Sequence, residues 1–279
     1  MNSLPHSAPK LGSWEEAVLW LRHQPDQRQL VHACFYDDPL IEAAKRYYAS
    51  TEWQAVQRYL PAKQGHALDL GAGRGIAAYA LACDGWKVTA VEPDPSAIVG
   101  ADAIRQLAKE TGLPIEVLAQ YGEDLPFQND LFDLVHCRAV LHHTHDLSAL
   151  CREVSRLLRP QGIFIAIREH VISRKADLQL FLDSHPLQRL YGGECAYLLT
   201  EYKAAIEGAG LNIMKVINPY ASDINLFPDS RAELKRRIAK RMRLPSPALV
   251  PGFIIDWLGH WSSQPGRHYT FIATKPAYA

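Results

Sequence analysis

The segment Ala67-Leu68-Asp69-Leu70-Gly71-Ala72-Gly73-Arg74-Gly75, followed by Val88-Thr89-Ala90-Val91-Glu92-Pro93, constrains the fold more than any other part of this chain. Its apolar start is short, β-compatible and cut off by glycines, which predicts a buried parallel strand whose tip turns sharply into a helix over 74–84. Glycines at 71, 73 and 75 remove Cβ atoms where the backbone bends and where a ligand approaches the main chain. A second strand over 87–91 then carries Glu92 at its carboxyl end, about 20 residues past the glycines, where a carboxylate accepts the protons of two ribose hydroxyls. The spacing predicts a nucleotide pocket with Gly71, Ala72, Gly73, Glu92 and Pro93 around the ligand.

The choice of nucleotide turns on charge. A dinucleotide fingerprint reads G-x-G-x-x-G, whereas this chain reads G-x-G-x-G with Asp69 just before it. An aspartate at the strand end repels a pyrophosphate and suits an ammonium group, which favours S-adenosylmethionine over NAD and places Asp69 on the ammonium side. An NAD-linked enzyme stays open as an alternative marked by affinity for NADH.

Three further motifs follow in order: Tyr121-Gly122-Glu123-Asp124-Leu125-Pro126-Phe127, then Phe132-Asp133-Leu134-Val135-His136-Cys137-Arg138-Ala139-Val140-Leu141-His142-His143, then Leu157-Leu158-Arg159-Pro160-Gln161-Gly162-Ile163-Phe164-Ile165-Ala166. With them, residues 40–170 or so resemble the class I S-adenosylmethionine-dependent methyltransferases, in particular the group typified by ubiquinone and menaquinone biosynthesis methyltransferases. The resemblance implies an α/β, Rossmann-like fold with a seven-stranded, mostly parallel sheet, helices on both faces and a final antiparallel pair. It also implies that Gly122, Glu123 and Asp124 cover the adenine, and that Cys137 and Arg138 line the sulfonium. Tyr121 stands where the family often has an aspartate, which passes the adenine contact to Glu123 or Asp124.

Periodicity extends this reading along the chain. Helices are predicted over 14–22, 39–59, 200–207 and 231–243, and strands near 67–71, 87–92, 115–119, 133–138, 162–168, 211–218 and 269–274. Alternating βα units predict a parallel sheet with right-handed crossovers. Residues 1–60 are expected to form a helical cap and 61–279 the core, with insertions at about 171–199 and 221–263. The first insertion, holding Asp183-Ser184-His185-Pro186 and Tyr191-Gly192-Gly193-Glu194, is longer than a usual αβ connection and reads as a lid. The second carries Phe253, Trp257 and Trp261, either a packed peripheral cap or an aromatic substrate wall.

Composition narrows the function classes. Thirty basic and thirty acidic residues cancel, so no global field draws the protein to nucleic acid or an anionic membrane. The seven cations within 231–243 fall around apolar positions at helical spacing, as on a solvated amphipathic face. Five scattered cysteines without a C-x-x-C pair point to reduced thiols and a cytoplasmic setting. No long apolar run suggests a membrane span, and the first residues lack the pattern of a secretion signal.

Candidate chemistry gathers where open α/β sheets bind ligands, at the carboxyl edge. His142 and His143 follow the fourth strand, while Glu169 and His170 leave the fifth. A histidine there can remove a proton from a hydroxyl as it attacks the sulfonium methyl, and Glu169 can act as base or orient the histidine. A divalent metal is the less favoured alternative, through His142, His143, His145 and Asp146 or through His170, Asp183, His185 and Glu194. The sequence is thus expected to encode methyl transfer to a small molecule, most simply O-methylation of a sugar-like or secondary-metabolite hydroxyl, with S-adenosylhomocysteine as product. N- or C-methylation is the chemical rival, and a non-catalytic adenosyl-binding regulatory protein is the rival of another class. Oligomeric state is not legible.

Overall fold

A computed structural model describes residues 8–144 and 146–277, which places His145 outside the described residues. The N-terminal segment is helical: α1 Trp14–Arg22, α2 Arg28–Ala33, α3 Leu40–Tyr48 and α4 Thr51–Val56. Ser13 starts α1 by accepting a hydrogen bond from the Glu16 amide at 3.2 Å. The single helix expected over 39–59 is broken at Ala49-Ser50 because Ser50 takes an extended backbone and caps α4 with its own hydroxyl, 3.1 Å from the Trp53 amide.

Beyond this cap come β1 His66–Leu70, α5 Ile76–Cys83, β2 Lys87–Val91, α6 Ala101–Thr111, β3 Ile115–Leu118, β4 Phe132–Arg138, α7 Leu147–Leu157 and β5 Leu158–Ile172. The sheet order is β3-β2-β1-β4-β5, all parallel, and β8 (Arg267–Thr274) then runs antiparallel between β5 and β7 (Asn212–Ile217). Seven strands on this path match the expectation, and a two-residue eighth, β6 Tyr197–Leu198, pairs with the far end of β5. β5 runs well past the predicted 162–168, and its pairing with β8 slips between Ala166 and Glu169, where Arg168 adopts φ +60°. This bulge re-aims the residues that follow.

One face of the sheet packs on Trp86 and Ile104, the other on Phe132, Phe164, Tyr202 and Phe271. Tyr47 and Trp53 from the cap belong to the first of these clusters, so the cap shares the core of the sheet. Asp84, at the end of α5, accepts hydrogen bonds from Tyr48, Trp53 and Gln57 and fixes α3 and α4 in place. Tyr47 and Tyr48 therefore pack and anchor; neither lines the cavity described below.

The insertion over 171–199 forms α8 Leu178–Ser184 and α9 Pro186–Leu190, then an irregular loop before β6 and α10 Leu199–Gly208. The second insertion holds α11 Asp223–Leu226, α12 Arg231–Arg241 and α13 Gly252–Trp261. α12 stops short of the predicted Arg243, which has φ +55°. Phe253, Trp257 and Trp261 of α13 are exposed and contribute nothing to the cavity wall.

Candidate active site

A cavity of about 960 Å³ opens at the carboxyl edge of the sheet, large enough for a nucleoside-sized ligand together with a small second molecule. The glycine turn and Glu92 form one end, the cap closes one side with Trp14, Phe35 and Tyr36, and the lid supplies the far wall.

At the glycine end the main chain does most of the shaping. Gly71 has φ +66°, and a Cβ there would lie 2.6 Å from a Val140 methyl, so neither conformation nor space admits a side chain. The Gly73 amide donates to Glu92 Oε2 at 2.8 Å and the Asp94 amide to Oε1 at 3.0 Å. Burial pushes the Glu92 carboxyl up to about 7, against the two amides that favour its charged form. Asp69, nearly fully buried at the tip of β1, accepts one hydrogen bond at Oδ1 from His136 Nδ1 (2.8 Å) and leaves Oδ2 without a partner among the described residues. An orphaned carboxylate oxygen bordering the cavity suits a cationic group and opposes a pyrophosphate. Ala72 and Pro93 line the same end, with Gly122 and Glu123 across from them. Glu123 Oε1 accepts from the Thr144 hydroxyl at 2.9 Å.

Two of the expected contacts are placed elsewhere, and a third is engaged by a neighbouring side chain. Asp124 is exposed and off the cavity wall, because its neighbour Leu125 is the buried residue of that turn. Cys137 is wholly buried in the apolar cluster on the opposite face of β4, as alternation along a strand requires when Arg138 faces the cavity. Arg138 reaches the wall, yet its guanidinium is held by Glu52 of α4 through hydrogen bonds of 2.7 and 3.1 Å. Glu52 is fully buried and also lies 3.6 Å from Arg168, whose own guanidinium donates to the Ile224 and Phe227 carbonyls. Sequence reasoning had no signal for Glu52, one acid on a helix predicted from its apolar face.

The other end is built from histidines. The β5 bulge turns Glu169 inward, where it accepts from the Val140 amide (3.0 Å), the His142 amide (3.1 Å) and His142 Nδ1 (2.7 Å). Glu169 is therefore an orienting group beneath His142 and does not border the cavity. Burial pushes its carboxyl up to about 7 and drives His142 and His170 well below the usual imidazole range. His143 is half-exposed to the cavity, with Nδ1 2.9 Å from the Gly193 carbonyl. His170 places Nδ1 2.7 Å from the Gly266 carbonyl, and its ring packs against those of His142, His185 and His268. The lid brings His185 and Glu194 to the same spot, whereas Asp183 bonds to Gln179 and stays off the wall. His268, which no motif flagged, comes in from β8.

Residues 68–166 match a family described as methyltransferase domain. The chain is 30% identical over 162 residues to a ubiquinone biosynthesis O-methyltransferase of Methylobacterium nodulans, covering 57% of this chain and 64% of the relative. Over this segment the chain is therefore similar to class I S-adenosylmethionine-dependent methyltransferases. It is also 33% identical over 141 residues to a sarcosine/dimethylglycine N-methyltransferase of Halorhodospira halochloris, covering 48% of each chain. A geranyl diphosphate C-methyltransferase from Streptomyces coelicolor A3(2) shares the fold with a TM-score of 0.59 and 17% identity, over 98% of this chain and 91% of its own. The chain thus spans less than two thirds of the length of these two curated relatives, and these similar methyltransferases include O-, N- and C-specific ones.

Proposed function

We propose that this protein transfers a methyl group from S-adenosylmethionine to an oxygen of a small molecule, a sugar-like or secondary-metabolite hydroxyl. The observation that carries this reading is one cavity with the glycine turn and Glu92 at one end and a cluster of imidazoles at the other. Glu92 would hold the ribose, Gly71 to Gly73 the methionine portion, Asp69 Oδ2 the ammonium side, and Gly122 with Glu123 the adenine. When bound, the cofactor supplies an electrophilic methyl on a sulfonium. The residues of this chain have three tasks: to aim the acceptor oxygen, to exclude water, and to take the proton that the oxygen sheds. His142 and His143 keep an unprotonated Nε2 for that last task, since Glu169 and the Gly193 carbonyl occupy their Nδ1 atoms.

A neutral amine is nucleophilic without a base, so a site so rich in imidazole favours oxygen over nitrogen as the acceptor. The cap over 1–60 and the lid over 171–199 would enclose the reactants, and unpaired cysteines with a balanced net charge support a small-molecule enzyme of the cytoplasm. Calorimetric titration with S-adenosylmethionine, S-adenosylhomocysteine and NADH tests the reading. Micromolar binding of the adenosyl pair alone (about −8 kcal/mol), followed by methylation in a panel of sugars and natural-product alcohols, is the expected result. Binding of NADH alone overturns it, and adenosyl binding with no dependence of any turnover on His142 or His143 leaves a regulatory adenosyl-binding protein.

A further inference from the structure

The lid carries Glu194 into the histidine cluster, where its side chain is almost fully buried. Its Oε2 nevertheless finds no hydrogen-bond donor among the described residues. Oε2 lies 3.7 Å from His142 Nε2 and 4.0 Å from His143 Nε2, while Oε1 lies 3.5 Å from His185 Nδ1. Glu194 Oε2 and His185 Nδ1 have no hydrogen-bond partner among the described residues. A buried carboxylate facing unengaged imidazole nitrogens is costly unless something positive stands between them.

The spacing fits such an occupant. Two ligand atoms each about 2.1 Å from one cation sit about 3–4 Å apart, which is longer than a hydrogen bond and close to what is found here. Two triads bring their ligand atoms within 4.8 Å of one another and share Glu194: His142 with His143, and His170 with His185. The other ring nitrogens are already fixed in the way metal-bound imidazoles require. Nδ1 of His143 and of His170 faces a backbone carbonyl, which can only accept, and Nδ1 of His142 faces Glu169. Each of these rings is thereby left with an unprotonated Nε2, held in orientation by an acceptor behind it.

We propose that Glu194 anchors a divalent transition-metal site between the two histidine pairs. Imidazole nitrogens with a single carboxylate select ions such as Mn²⁺, Fe²⁺, Co²⁺ or Zn²⁺ over Mg²⁺ and Ca²⁺, which take all-oxygen ligands. Because Glu194 and His185 come from the insertion over 171–199 while His142 comes from the turn after β4 and His170 from β5, the ion would also pin that insertion to the sheet edge. Three-ligand coordination leaves positions open to the cavity, where a hydroxyl could bind and lose its proton more readily, so that an ion held by His142 and His143 would take over the activating task of the Nε2 atoms it occupies. That catalytic role rests on the methyl-transfer reading, whereas metal binding does not.

The test uses the tag-free full-length protein after chelation, titrated with Co²⁺ and followed by visible absorption, with circular dichroism and S-adenosylmethionine affinity measured alongside. At least one equivalent of Co²⁺ should bind with bands of nitrogen and oxygen ligation, undisturbed by millimolar Mg²⁺. Glu194→Gln should weaken uptake by about 100-fold and His185→Ala by about 10-fold, with fold and adenosyl affinity retained. Failure of the wild type to take up Co²⁺, or uptake indifferent to both substitutions, overturns the site. Uptake as expected in a protein that methylates nothing keeps the metal site and removes the methyl-transfer reading.

Discussion

The two ends of the cavity are made from different materials. The glycine end is a piece of continuous chain: a turn, its own amides and one carboxylate at the next strand tip, with Glu92 bonded to the Gly73 and Asp94 amides. The histidine end is an assembly in which the loop after β4, the bulge in β5, the lid and β8 each contribute one or two side chains. Backbone sites depend on conformation and tolerate little change, while side-chain sites depend on packing from afar and can be retuned one residue at a time.

Substitutions sharpen this contrast. Gly71→Val should all but abolish adenosyl binding, since its Cβ would overlap Val140 at 2.6 Å in a backbone conformation that valine avoids; equilibrium dialysis with S-adenosylhomocysteine reads it, and retained affinity would mean that the turn is not what holds the ligand. His143→Ala should instead lower turnover by about 100-fold while adenosyl affinity stays near normal. Equal losses in both quantities would erase the distinction between the two ends. Glu92→Ala should cost on the order of 1–3 kcal/mol in adenosyl affinity through unpaired ribose hydroxyls, as measured by calorimetry.

The pH dependence of binding offers a finer probe. Burial raises the Glu92 carboxyl to about 7, so below that pH it is protonated and loses one of the acceptor positions that the ribose hydroxyls need. Adenosyl affinity should therefore rise with pH through about 7 and level off above it, and Glu92→Gln should flatten the profile; an unchanged slope in that variant assigns the titration elsewhere. The smallest effect is expected far from both ends, where Trp257→Ala on exposed α13 should change unfolding free energy by no more than about 0.5 kcal/mol.

The same contrast explains what could be read in advance. The glycine turn, Glu92, the parallel strands and the antiparallel closing pair were legible because each is encoded by neighbouring residues with a fixed period. Asp124 and Cys137 were misplaced because a motif names a segment, whereas the parity of a strand or turn decides which of its residues faces the ligand. Glu169 illustrates the opposite case. It stands at the expected strand end, but the bulge at Arg168, invisible in a run of apolar residues, turns it beneath His142. Glu52 was not legible at all, because its role depends on Arg138 and Arg168 arriving from distant strands.

Arg74 belongs to the glycine turn, and its guanidinium reaches across to the Phe35 and Asp37 carbonyls of the cap and pairs with Asp38. The turn and the cap are thus latched together over whatever lies between them. How long a ligand resides at that end is then a question of how often the latch opens, and affinity and exchange rate become separately adjustable properties of one protein.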